Sequence, residues 1–159
     1  MGDISNVTPR SAAYRIFWFG RQIERAENNA RLIDTIYYRL QESGSSMEDS
    51  RAEWESILKS LGLWEVFLRT GKDVTSEAVV EYVIVGQANP SSLLRCIELA
   101  RDNANGAVPD EVFVQLNKIY LKLKKIKIED IWKQGLHEFI QDFVHSIHTV
   151  GGSIDRIWA

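Results

Sequence analysis

At about 100° of rotation per helical residue, Phe17, Gly20, Glu24, Glu27, Arg31 and Asp34 fall on one line at steps of three and four. Glu24 and Glu27 are the members of that line with chemistry to offer. Two carboxylates one turn apart can share a proton, hold an amine or bind a hard cation, and a neighbouring arginine such as Arg31 orients an anionic group. The plainer account is helix stabilisation: Glu27 with Arg31 at i,i+4, and Arg31 with Asp34 at i,i+3, are ion pairs worth about 0.2–0.5 kcal/mol each. Both accounts stay open at this level. Phe17 at one end of the line, Tyr38 beyond the other and Gly20 within it suggest a second packing face, with the glycine permitting close approach.

Asn89-Pro90-Ser91-Ser92 would start a helix, because Asn caps free amides and Pro suits the first helical position. With Arg95 one turn on, Asn89, Ser91 and Ser92 could bind a phosphate or a peptide carboxylate, although an ordinary cap explains the same residues. His137, Gln141, His145 and His148 share a helix face, and Asp142 with His145 has the carboxylate-x-x-His spacing of di-metal bundles. A single copy does not make such a site, so solvated histidines and no metal are expected. Lys118, Lys122, Lys124, Lys125 and Lys127 are followed at once by Glu129 and Asp130, which reads as a solvated face and not a nucleic-acid surface. Cys96, the chain's one cysteine, lies beside Ile97 as a core-edge thiol.

The apolar periodicity of the chain is helical throughout. Ile16, Phe19, Ile23, Ala26, Ala30, Ile33, Tyr37 and Leu40 form an unbroken seam that predicts a helix from Ser11 to about Leu40, closed by the polar linker from Glu42 to Ser46. Further helices are expected over Asp49–Leu61, as a short turn near Leu63–Arg69, over Ser76–Val85 with Thr75 as cap, from Asn89 to about Asn105, from Pro109 to about Ile126, and from Glu129 to a bend or stop at Gly151-Gly152. The expected fold is an all-α bundle of about five to six helices with no sheet, spanning 1–159 as one domain, with the first helix central and packed through two faces.

Composition agrees with this and narrows the functional classes. With 19 Lys plus Arg against 22 Asp plus Glu, the net charge of −3 gives no general attraction to nucleic acid or anionic lipid. A lone cysteine excludes an internal disulfide. The longest apolar run, Val79 to Val85, is broken by Glu81, so no membrane span is expected. The opening Met1 to Asn6 has neither basic nor apolar signal regions, which makes a cytoplasmic protein the expectation and the Asn6-Val7-Thr8 sequon inert. No G-x-x-x-x-G-K-[ST] loop is present, so neither ATP hydrolysis nor a bound cofactor is expected of this chain alone.

The segment Tyr14-Arg15-Ile16-Phe17-Trp18-Phe19-Gly20-Arg21-Gln22-Ile23-Glu24-Arg25-Ala26-Glu27-Asn28-Asn29-Ala30-Arg31-Leu32-Ile33-Asp34 resembles the opening motif of the bacterial alpha-E domain family, an all-helical group named for its glutamates. The block from Asn89 to Ala104 is similar to that family's central helix, and Leu116 to Leu121 to its next one. The resemblance implies association with a circularly permuted ATP-grasp ligase and a transglutaminase-like peptidase, in systems expected to make, modify or trim peptides through amide bonds. Carried onto this chain, Glu24 and Glu27 would handle an amine or a proton. Arg21, Asn28 and Arg31 would bind substrate, the arginines taking an anionic group, with Asn89, Ser91, Ser92 and Arg95 as a further anion site. The chain has about half the length typical of that family and lacks its second Gly-Arg…Glu-Arg-Ala helix. The expectation is therefore either a fragment or a half-length chain that forms a homodimer, a second copy replacing the missing helix. From another class stands a non-catalytic helical interaction module, whose charged stripe fixes helix register and partner choice.

Overall fold

The computed structural model describes residues 9–44 and 46–158. The opening segment, the sequon at Asn6 and Ser45 of the polar linker lie outside the described residues. Eight helices follow one another there: α1 (Pro9–Ser43), α2 (Met47–Ser60), α3 (Trp64–Leu68), α4 (Ser76–Val85), α5 (Leu93–Ala104), α6 (Asp110–Lys125), α7 (Ile128–Gln134) and α8 (Leu136–Trp158). No strand occurs among the described residues, and no helix among them is long and apolar enough to cross a membrane.

The all-α expectation holds, and the helix count exceeds it for two local reasons. Trp64–Leu68 is a helix in its own right, anchored by fully buried Phe67. Gly135 adopts a φ of +98°, a conformation that L side chains rarely reach, and separates α7 from α8. Gly151 and Gly152, by contrast, end nothing. Helix α8 runs through them to Trp158, because Val150 and Ser153 on either side are buried and Ser153 Oγ donates to Gln115 Oε1 on α6 at 3.1 Å. Tertiary packing here overrides the weak helix propensity of glycine, about 1 kcal/mol per residue.

α1 is the central element. Its seam residues Phe19, Ala26, Ala30, Ile33 and Leu40 are buried, and the helix packs most extensively on α5, then on α8 and α4. Its start is fastened where Arg15 Nη2 donates to the carbonyl of Asn105 and, at 3.4 Å, to that of Asp102. A guanidinium there satisfies carbonyls that α5 leaves open at its C-terminus and complements the negative end of its dipole. Elsewhere Trp54 has no exposed surface, and its indole Nε1 donates to Ser76 Oγ at 2.9 Å, fixing α2 against the start of α4. Burial of an aromatic this size with its donor satisfied contributes about 3 kcal/mol.

The start of α5 differs from the expected one. Leu93 is its first residue and Ser92 its cap, the hydroxyl accepting from Arg95 N–H at 3.0 Å, so Pro90 sits in the preceding turn and not in the helix. Asn89 locks that turn. It is 1% exposed, its Oδ1 accepts from Ser91 N–H at 2.8 Å and its Nδ2 donates to the Tyr82 carbonyl at 3.1 Å. A Cβ added at Gly86, the α4 C-cap, would stand 2.4 Å from that same Tyr82 oxygen, so only glycine admits the close approach.

Candidate functional site

The charged line on α1 divides into two sides with different fates. On the side toward α8, Glu27 is largely covered, its side chain 23% exposed, and its Oε1 accepts from Arg31 Nε at 3.1 Å, Arg31 Nη2 at 2.9 Å and His148 Nε2 at 2.7 Å. Two turns further on, Asp34 is 17% exposed and its Oδ2 lies 2.7 Å from His137 Nδ1. Partial burial pushes the Glu27 carboxyl up, but hydrogen bonds and charge from His148 and Arg31 outweigh it and hold the group below its ordinary value. The carboxylates, not the imidazoles, are the covered partners. Packing α8 over α1 would leave two anions without water, and the histidines and arginine replace what water supplied.

An open cleft of about 600 Å³ lies along this contact, with Arg31, Asp34, His137, His145 and His148 in its walls. An imidazole held by a carboxylate is the orienting half of a nucleophilic triad. The hydroxyl in the same cleft, Thr35 Oγ1, donates instead to the Arg31 carbonyl at 2.8 Å. Asp142 does not join His145 as a ligand pair, since its Oδ2 accepts from Gln134 Nε2 at 2.7 Å. Among the described residues no group of three His, Cys, Asp or Glu side chains is placed to hold a metal ion.

On the side toward α5 the polar groups are not consumed. Trp18, Arg21, Gln22, Glu24, Arg25 and Asn28 line a recess of about 360 Å³. Arg21 reaches Glu24 only loosely, at 3.7 Å between exposed groups. Arg25 and Asn28 make no hydrogen bond or ion pair among the described residues. Gln22 is 9% exposed, and its Oε1 is buried with no hydrogen-bond partner. Asn29 closes one edge by donating from Nδ2 to the Ser91 carbonyl at 2.9 Å. Trp18 carries an exposed aromatic group beside the recess, its ring edge-to-face with Phe17 at 5.5 Å and with Tyr14 at 6.1 Å.

Glu24 and Glu27 are thus one turn apart on α1 but serve different surroundings. Arg21, Asn28 and Glu24 come together, whereas Arg31 stays with Glu27 on the α8 side. The four residues near α5 do not converge on one site. Asn89 and Ser91 line a narrow apolar gap beside Ile33 and Leu58, while Ser92 and Arg95 face a separate open cleft with Tyr120 and Lys124, where Arg95 pairs with Glu98 at 3.0 Å. The second packing face is shorter than expected: a Cβ built at Gly20 would meet nothing within 4 Å, and Phe17 and Tyr38 are each 58% exposed. Cys96 has no exposed surface, and burial pushes its thiol up to about 11, against a small opposing pull from Arg25, so the sulfur stays protonated and inert.

Sequence spacing does not reveal His137 and His148 as partners of α1, because more than a hundred residues separate each from its acid (103 and 121). Arg25 carried a signal in the chain's only Glu-Arg dipeptide, Glu24-Arg25. Gln22 carried a fainter one, as an amide in the register of the apolar seam next to Ile23 and Ala26.

A family model described as a predicted alpha-helical domain with a conserved ER motif matches residues 9–158. No curated protein and no solved structure matches the chain.

Proposed function

The chain belongs to that family, the Alpha-E domains, and from this premise we propose that it is a helical accessory domain of a peptide-bond-forming or peptide-modifying system, working beside an ATP-grasp ligase and a transglutaminase-like peptidase. The observation that supports this reading is the recess at Glu24-Arg25, where Arg25 and Asn28 make no ion pair or hydrogen bond among the described residues and Glu24 is held only loosely by Arg21, on an otherwise tightly packed central helix. Polar groups left available at the edge of a rigid element suit binding of a polar substrate or a partner. Arg21 and Arg25 take an anionic group, Glu24 an amine. Glu27 serves to hold α1 against α8.

A second reading, the non-catalytic interaction module, is favoured by the exposed Tyr14, Phe17 and Trp18 at the start of α1, which resemble the aromatic anchors of protein interfaces. Its partner would be a second copy of the chain or another alpha-E half. Multi-angle light scattering of the chain alone, and mixed with any ATP-grasp protein encoded beside it, tests both. The accessory-domain reading expects a heterocomplex, the module reading a homodimer that forms without the ligase, and a monomer in both samples removes the two.

A further inference from the structure

On the outer face of α1, Phe17, Glu24, Arg31 and Tyr38 follow one another at exact steps of seven. Phe17 and Tyr38 are each 58% exposed, and the side chains of Glu24 and Arg31 are 69% and 57% exposed. A seven-residue spacing stacks side chains in one line with a drift of only about 20° per repeat, and this line covers 21 residues (38 less 17), about 32 Å. Five of the nine large hydrophobic side chains exposed among the described residues lie on α1, so the helix at the centre of the core also carries most of the large apolar groups that the fold leaves uncovered. Between the ends of the line stand Gly20 and Thr35. A Cβ built at Gly20 would meet nothing within 4 Å and Thr35 is exposed, so a second helix has room to come close at both.

The order of these residues is self-complementary. Laid antiparallel on a copy of itself, with a two-fold axis crossing between Glu27 and Asn28, the line sets Phe17 on Tyr38 of the second copy, Gly20 on Thr35 and Glu24 on Arg31, each contact made twice. A parallel copy would set glutamate on glutamate and arginine on arginine. Arg31 has donors for two carboxylates, since Glu27 takes its Nε and Nη2 and a guanidinium carries five N–H groups. Glu24 is open to a second cation, because Arg21 stands 3.7 Å away between exposed groups. Deepening the interaction-module reading above, on which the idea rests, we propose that the occupant of this face is a second copy of the chain, α1 pairing antiparallel with itself in this register. Exposed ion pairs contribute little affinity, so the charges set direction and register while the aromatic pairs anchor the two ends.

Sedimentation equilibrium of the full chain and its variants tests the proposal. The native chain is expected to dimerise. Glu24→Arg brings arginine against arginine at both crossings and Arg31→Glu brings glutamate against glutamate, so each alone is expected to weaken self-association by on the order of tenfold. An equimolar mixture of the two variants is expected to regain the native affinity as a heterodimer, because every crossing then joins unlike charges. Phe17→Ala, which removes an anchor at both ends, is expected to weaken the dimer by on the order of a hundredfold. Asn28→Cys places an exposed thiol beside the axis, and a bis-maleimide is expected to link two copies there but not at Val114→Cys on α6, with Cys96 buried and unreactive. This cross-link decides the matter if Arg31→Glu, which also takes a partner from Glu27, fails to fold. A native dimer that Glu24→Arg leaves intact, folded variants that do not recombine, or a dimer in which Asn28→Cys stays unlinked overturns this register and spares the module reading. A native chain that stays monomeric overturns both.

Discussion

The two sides of α1 carry the same kinds of residue and reach opposite outcomes. Toward α8, Glu27 and Asp34 are covered and each is answered by an imidazole at 2.7 Å, with Arg31 completing the Glu27 shell. Toward α5, Arg25, Asn28 and the Gln22 amide oxygen have no answering group among the described residues. Charge pattern alone does not distinguish a strut from a site. What distinguishes them is whether the neighbouring helix brings the complementary groups.

The sharpest way to break that comparison is to move the helix itself. Ala30 has no exposed surface on the buried side of α1, so Ala30→Leu forces extra volume into a filled space and is expected to cost about 1–3 kcal/mol. At this chain length each kcal/mol lowers the melting temperature by about 2–4 °C, and calorimetry should show both sides of α1 loosening together. Next in size is Glu27→Gln. Because His148 and Arg31 are more than half exposed, solvent screening limits the loss to about 1 kcal/mol, read as a lower denaturation midpoint.

The same pair gives a pH dependence of defined sign. The folded-state value of Glu27 lies below its ordinary 4.5, so its contribution is complete above pH 4.5 and is lost as the pH falls through the lowered value. The stability difference between the native chain and Glu27→Gln should therefore shrink in acid below that point. Gln22→Met is expected to leave stability unchanged or raise it by up to about 1 kcal/mol, since it removes a buried acceptor that nothing satisfies. Smallest of all, Glu24→Gln should stay within about 0.5 kcal/mol, as for other exposed surface changes. A large loss there would show that the α5-side glutamate is a strut after all.

Much of the fold was legible because its signals are local. Thr75 and Gly86 bracket α4 at the expected residues, since a hydroxyl cap and a glycine stop act within one turn. The seam of α1 was legible for the same reason, though the helix extends beyond it to Pro9 and Ser43. What failed depended on tertiary context: Gly151-Gly152 inside α8, held helical by packing, and Pro90, displaced by a better cap at Ser92. In the site, Arg21, Glu24 and Asn28 were readable as neighbours on one helix. The bond from His148 to Glu27 was not, because it depends on how α8 crosses α1. Neither was the solitude of Gln22, which is a property of the assembled core and of no sequence pattern.

The central position of α1 also bears on how the chain is made. α1 leaves the ribosome well before its principal cover, α5, which ends at Ala104, some 61 residues after Ser43 (104 less 43). At roughly 5–20 residues per second, about 3–12 s pass before that cover has been synthesised. For that interval the nascent chain presents a long apolar stripe to solvent, a substrate for holdase chaperones and a hazard under rapid overexpression.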